Sequence, residues 1–66
     1  MSEQYFLKKC IISAEDAKGS YNMMANLDVD QSTKEQYDKM VADAGKHLTF
    51  LNSRLKYLKQ LEKPQE

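Results

Sequence analysis

Asp28, Asp30 and Ser32 stand at alternating positions just ahead of a helical stretch, the opening pattern of a calcium-binding loop. Such a loop needs glycine at its sixth position and a bidentate glutamate at its twelfth. Those places hold Thr33 and Lys39, so turn formation and helix capping account for the same three residues. Cys10 and His47 form a second candidate set, since a symmetric dimer would bring two thiols and two imidazoles together, a ligand set that zinc accepts. Neither residue belongs to a CxxC or HxxxH pair, and a cysteine at a core position commonly serves as a small hydrophobe. Tyr5, Tyr21, Tyr37 and Tyr57 with Met23, Met24 and Met40 have the composition of a ligand pocket, yet their helical spacing fits a packed core equally well. Lys56, Lys59 and Lys63 make a short basic strip of the kind that touches phosphate, or a solvated helix end. No base and nucleophile stand at a recognisable spacing. No catalytic residue, metal or cofactor is therefore expected, and the protein is read as a non-enzyme.

The element that would position all of these groups runs from Thr33 to Glu62, roughly 30 residues with no proline and one glycine. Its apolar residues Tyr37, Val41, Ala44, Leu48, Leu51, Leu55 and Leu58 recur in steps of 4 and 3, the repeat of a coiled-coil seam. A second stripe lies beside that seam: Met40, His47, Phe50, Tyr57 and Leu61. One neighbouring helix covers an arc little wider than about 100°, so the second stripe requires a further partner and is the expected oligomer interface.

Upstream, Leu7, Cys10, Ala14, Ala17, Tyr21 and Met24 repeat in the same steps, with Ser2 placed to cap the helix they define. Tyr5, Phe6, Ile11 and Ile12 widen its apolar face, and Gly19 falls within it, where glycine costs about 1 kcal/mol relative to alanine and leaves room for a local bend or fraying. Residues 26–32 form the connection, and Ser32 with Glu35 has the spacing of a capping box. Two helices joined by so short a link pack as an antiparallel hairpin. With the turn centred near Val29 and Asp30, residues whose numbers sum to about 59 should share a level, which sets Ala14 opposite Gly45 and Ala17 opposite Ala42. Pro64 stops the second helix. The expected organisation is one domain: helix 3–25, turn 26–32, helix 33–62 and a frayed tail 63–66.

At 66 residues the chain has a small core of its own, and Cys10 alone closes no internal disulfide. Self-association is the remaining route to stability. The fold class expected is all-α, an antiparallel hairpin assembling into a four-helix bundle as a dimer or higher even oligomer. The N-terminal segment carries Glu3, Lys8 and Lys9 where a signal peptide would need an apolar core, and no apolar run approaches the roughly 18 residues of a membrane span. With a lone thiol, this points to a reducing cytoplasm.

Net charge is zero, with 10 basic and 10 acidic residues, so the balance implies no nucleic-acid partner. From Asp28 to Ala44 the net charge is −3, and from Gly45 to Lys63 it is +4. That order complements the helix macrodipole, and it would also let two such helices packed antiparallel fix their register by pairing acidic with basic halves.

The run Leu51, Asn52, Ser53, Arg54, Leu55, Lys56, Tyr57, Leu58, followed by Glu62, Lys63, Pro64 and Gln65, resembles the end of a short bacterial family of unknown function, number 1657 in its series. Ser13, Ala14 and Ala17 resemble the small-residue pattern of that family's first helix, and Tyr37 a position in its second. Lys63 departs from the acidic residue that usually precedes the proline, and the tyrosine after the glutamine is missing. The resemblance implies a two-helix protein of spore-forming bacteria with a role related to sporulation, and it supplies no functional residues.

The function expected is a non-enzymatic protein–protein interaction or scaffold. Two other readings stay open. One is a small inhibitor, from a phage or its host, docking on a larger protein through Asp28, Asp30, Glu35 and Asp38. The other is a bundle that encloses a small ligand or metal at its subunit interface, lined by Cys10, His47 and the tyrosines.

Overall fold

The computed structural model describes residues 2–62, which form two α-helices, α1 (Glu3–Ala25) and α2 (Gln31–Leu61), packed against each other with no strand among the described residues. The tail expected over 63–66 lies outside the described residues. Along its principal axes the hairpin measures 57 × 18 × 14 Å.

Local chemistry sets the helix ends. The Ser2 hydroxyl accepts from the Tyr5 amide at 3.3 Å, which satisfies one of the orphan donors of α1. At the other end Asn26 is the cap, its amide donating to the Met23 carbonyl at 3.1 Å and its side chain to the Asn22 carbonyl at 2.8 Å. Helix α2 starts two residues earlier than the spacing of Ser32 and Glu35 suggests, and the capping box is not formed. Asp30 is the N-cap instead: one carboxylate oxygen accepts from the Thr33 amide at 3.2 Å and the other from the Thr33 hydroxyl at 2.7 Å. Aspartate caps more strongly than an alanine-like start, and its charge faces the positive end of the helix dipole.

Those hydrogen bonds hold the Asp30 carboxyl below the usual carboxylate range. At the far end of the hairpin, the Glu3 carboxyl is held low by its bonds to Arg54. A lowered folded pKa contributes stability that is present above the unfolded value and lost as pH falls through the folded one. Thermal melts should therefore be flat from pH 7 to about 5 and drop below about pH 4, near the unfolded pKa of these acids. Asp30→Ala should lower the melting temperature at neutral pH and flatten that acid limb; an unchanged limb would contradict the assignment.

The inward face of α2 is the seam expected from its spacing: Ala44 is buried, and Tyr37, Val41, Leu48, Leu51, Leu55 and Leu58 are half-buried. On α1 the seam takes a different phase. Leu7, Ala14 and Tyr21 point inward as expected, but Cys10 and Met24 are exposed and their places are taken by Ile11 and Ala25. Two heptad phases share Leu7, Ala14 and Tyr21, and the longer apolar arc at Ile11 wins the position against α2. Tyr5, Phe6 and Ile12 remain exposed. Among the described residues, only Leu7, Ala25 and Ala44 are buried in the single chain.

Helix α1 runs unbroken through Gly19. A methyl group added at Gly19 would meet nothing within 4 Å. Glycine in a helix interior costs about 0.5–1 kcal/mol relative to alanine, so Gly19→Ala should stabilise the protein by about that much in a urea titration. Destabilisation would show that the backbone at Gly19 needs freedom that this helix does not use.

Candidate interaction face

The two helices leave two unlike faces. On one side Glu15, Lys18, Gly19 and Asn22 of α1 border Val41 and Leu48 of α2, and further along Asn52, Lys56, Lys59 and Gln60 surround Leu55. This side is polar and suits water. On the other side Ala14, Ala17 and Tyr21 join Met40, Ala44 and His47 around an open groove of about 240 Å³ with Asp43 at its rim. A second open groove continues it, lined by Cys10, Ala14, His47, Phe50 and Leu51 with Lys46 beside them.

Met40, His47 and Phe50 of the second α2 stripe therefore border these grooves, Leu61 borders another at the open end beside Ser2 and Gln4, and all five residues of the stripe are left uncovered in the single chain. Met40 is 38% exposed, Phe50 68%, Tyr57 51% and Leu61 64%, and His47 is exposed as well. Ala17 shares its groove with Ala44, Ala42 is exposed, and Gly45 lies near the end of the Lys18 side chain.

One contact on this side carried no sequence signal. Arg54 donates to both carboxylate oxygens of Glu3, Nε to Oε2 at 2.8 Å and Nη2 to Oε1 at 2.9 Å, and its guanidinium lies 5.4 Å from the centre of the Tyr57 ring. The bidentate pair ties the start of α1 to the end of α2 and holds Arg54 in its charged form. Both partners are solvent-exposed, so the pair serves geometry more than stability. Nothing in the spacing of Glu3 and Arg54 announces it, because the register that brings them together is a tertiary property.

The other candidate groups separate. Cys10 and His47 border the same groove, but among the described residues no cluster of three or more His, Cys, Asp or Glu could hold a metal ion. The tyrosines do not converge: Tyr37 sits in the seam, Tyr21 lines the small-residue groove, and Tyr5 and Tyr57 are exposed. Lys56 and Lys59 flank a shallow hollow on the polar side, and Lys63 lies outside the described residues. At the tip, Asp28, Asp30, Glu35 and Asp38 are all exposed. Three of them make local bonds: Asp30 caps α2, Glu35 accepts from Gln31 at 3.3 Å, and Asp38 pairs with Lys34 at 3.3 Å. The oxygen set of a calcium loop is thus partly spent on starting the helix. No helix among the described residues is long and apolar enough to cross a membrane.

Comparison with protein-family models, with curated proteins and with solved structures returns no match.

Proposed function

We propose that this protein is a non-enzymatic interaction or scaffold module that works by self-association, two hairpins closing into a four-helix bundle or a higher even assembly. The observation that carries this reading is the apolar pair of adjoining grooves formed by Met40, His47 and Phe50 with Cys10, Ala14 and Ala17 of α1, together with the exposed Tyr57 and Leu61 further along α2. Contiguous exposed apolar surface on a small protein marks an interaction site. A single hairpin that buries three of its described residues also has little hydrophobic stabilisation of its own. The grooves are open, and the groups with displaced pKa values, Glu3, Asp30 and Arg54, each answer to a capping or ion-pair partner. That supports binding over catalysis.

The exposed acidic tip at Asp28, Asp30, Glu35 and Asp38 favours a second reading, in which the bundle docks by its tip on a basic patch of a larger protein as an inhibitor does. Native mass spectrometry of the protein purified from its source cell tests the proposal. Recovery of the self-associated protein, alone or with a protein partner, is the expected result. A stoichiometric small molecule or zinc with no protein partner would overturn it.

A further inference from the structure

Charge and exposed aromatic residues are both polarised along this hairpin. Residues 13–44, the half that contains the turn, carry seven acids against three bases, net −4; the open half, residues 2–12 with 45–62, carries six bases against two acids, net +4. At the rim of the apolar side the same order holds, Asp43 beside the groove of the turn half and Lys46 beside the groove of the open half. The exposed aromatic residues follow it. The groove of the turn half is lined by Ala14, Ala17 and Ala44 with Tyr21, Met40 and His47, whereas the exposed aromatics Tyr5, Phe6, Phe50 and Tyr57 all belong to the open half.

On these grounds we infer that the occupant of the apolar side is a second copy of this chain packed turn to tail, so that the aromatic residues of each open half fill the alanine-lined groove of the other copy's turn half. The inference rests on the self-association proposed above and fixes its geometry. A two-fold axis near Ala14 and His47 places Phe50 of one copy at the level of Ala17 and Ala44 in the other. It also sets each −4 half against a +4 half. The opposite arrangement, turns together, stacks Phe50 on Phe50 and Tyr57 on Tyr57, faces alanine with alanine across a void, and brings like charge against like charge, which costs both packing and electrostatic energy. The side of the rod is large enough: 57 by 18 Å is roughly 1,000 Å² per copy, above the roughly 800 Å² per partner of a standard stable interface.

Two measurements separate the arrangements. The first uses a nitroxide attached to Asp28→Cys in a Cys10→Ser background, both exposed positions, with circular dichroism to check helix content. At 1.5 Å of rise per residue, labels at the two turns stand about 50 Å apart when the copies pack turn to tail and within about 20 Å when the turns meet. A long distance by pulsed dipolar spectroscopy is expected, and a short one in a confirmed dimer overturns the orientation while leaving self-association intact. The second needs no variant. Raising salt shortens the Debye length from about 10 Å at 0.1 M to about 3 Å at 1 M, so sedimentation of the wild type should show a dissociation constant several-fold weaker at high salt. A dimer that tightens with salt contradicts the orientation, and a monomer under every condition removes both this inference and the reading it rests on.

Discussion

Phe50→Asp should convert the assembled protein to monomer and lower its melting temperature sharply. Phe50 is 68% exposed in the single hairpin, so the substitution disturbs little within one chain, where an exposed position usually changes stability by less than about 0.5 kcal/mol. In the proposed bundle the same side chain would fill the groove that Ala14, Ala17 and Ala44 share with Tyr21, Met40 and His47, and a carboxylate there would be buried without a partner, which costs several kcal/mol or drives the subunits apart. The variant should therefore show the monomer mass of 7.7 kDa by light scattering at tens of micromolar, with a melting temperature that no longer rises with protein concentration. A Phe50→Asp protein that keeps the wild-type mass would place the interface elsewhere.

The second large effect distinguishes leucines that the heptad pattern treats as equals. Leu48, Leu51 and Leu55 are all half-buried in the single chain, and spacing alone makes them equally central. Leu51 borders the apolar groove with Cys10 and Phe50, while Leu48 and Leu55 border the polar side. The proposed association would cover Leu51 and leave the other two at the edge. Leu51→Ala should then reach the range of fully buried leucines, about 2–5 kcal/mol, and Leu55→Ala should cost clearly less. Leu7, buried at 7% exposure, belongs with Leu51: Leu7→Ala should cost a similar 2–5 kcal/mol. Against a total stability of roughly 3–10 kcal/mol for a chain of this size, either change would leave much of the protein unfolded at growth temperature. Equal losses at Leu51 and Leu55 in denaturant titrations would mean that both sides of the hairpin see the same environment.

Much of this architecture was legible because α2 carries one unambiguous period. Tyr37, Val41, Ala44, Leu48, Leu51, Leu55 and Leu58 all turn toward α1, and the adjacent stripe from Met40 to Leu61 stands uncovered beside them, as an arc too wide for one partner must. The first helix was harder to read. It offers apolar residues at both Cys10 and Ile11 and at both Met24 and Ala25, so the pattern admits two phases, and only packing against α2 chooses Ile11 and Ala25. The start of α2 was misplaced for a similar reason: Asp30 and Ser32 both precede the periodic stretch, and Asp30 captures Thr33 through two bonds before Ser32 can act as a cap. The unlike character of the two sides needed the register itself. Ala14, Ala17 and Ala44 make a groove, and Phe6 and Phe50 stand away from it, only once α1 and α2 are set side by side.

That groove and those aromatics are the basis for treating the hairpin as half of a larger object, and the mass of the wild-type protein in solution tests this most directly. The chain has a mass of 7.7 kDa. Light scattering across a concentration series in the tens of micromolar should give twice that mass, or a higher even multiple. A protein that remains at 7.7 kDa throughout, with its melting temperature independent of concentration, would contradict the account.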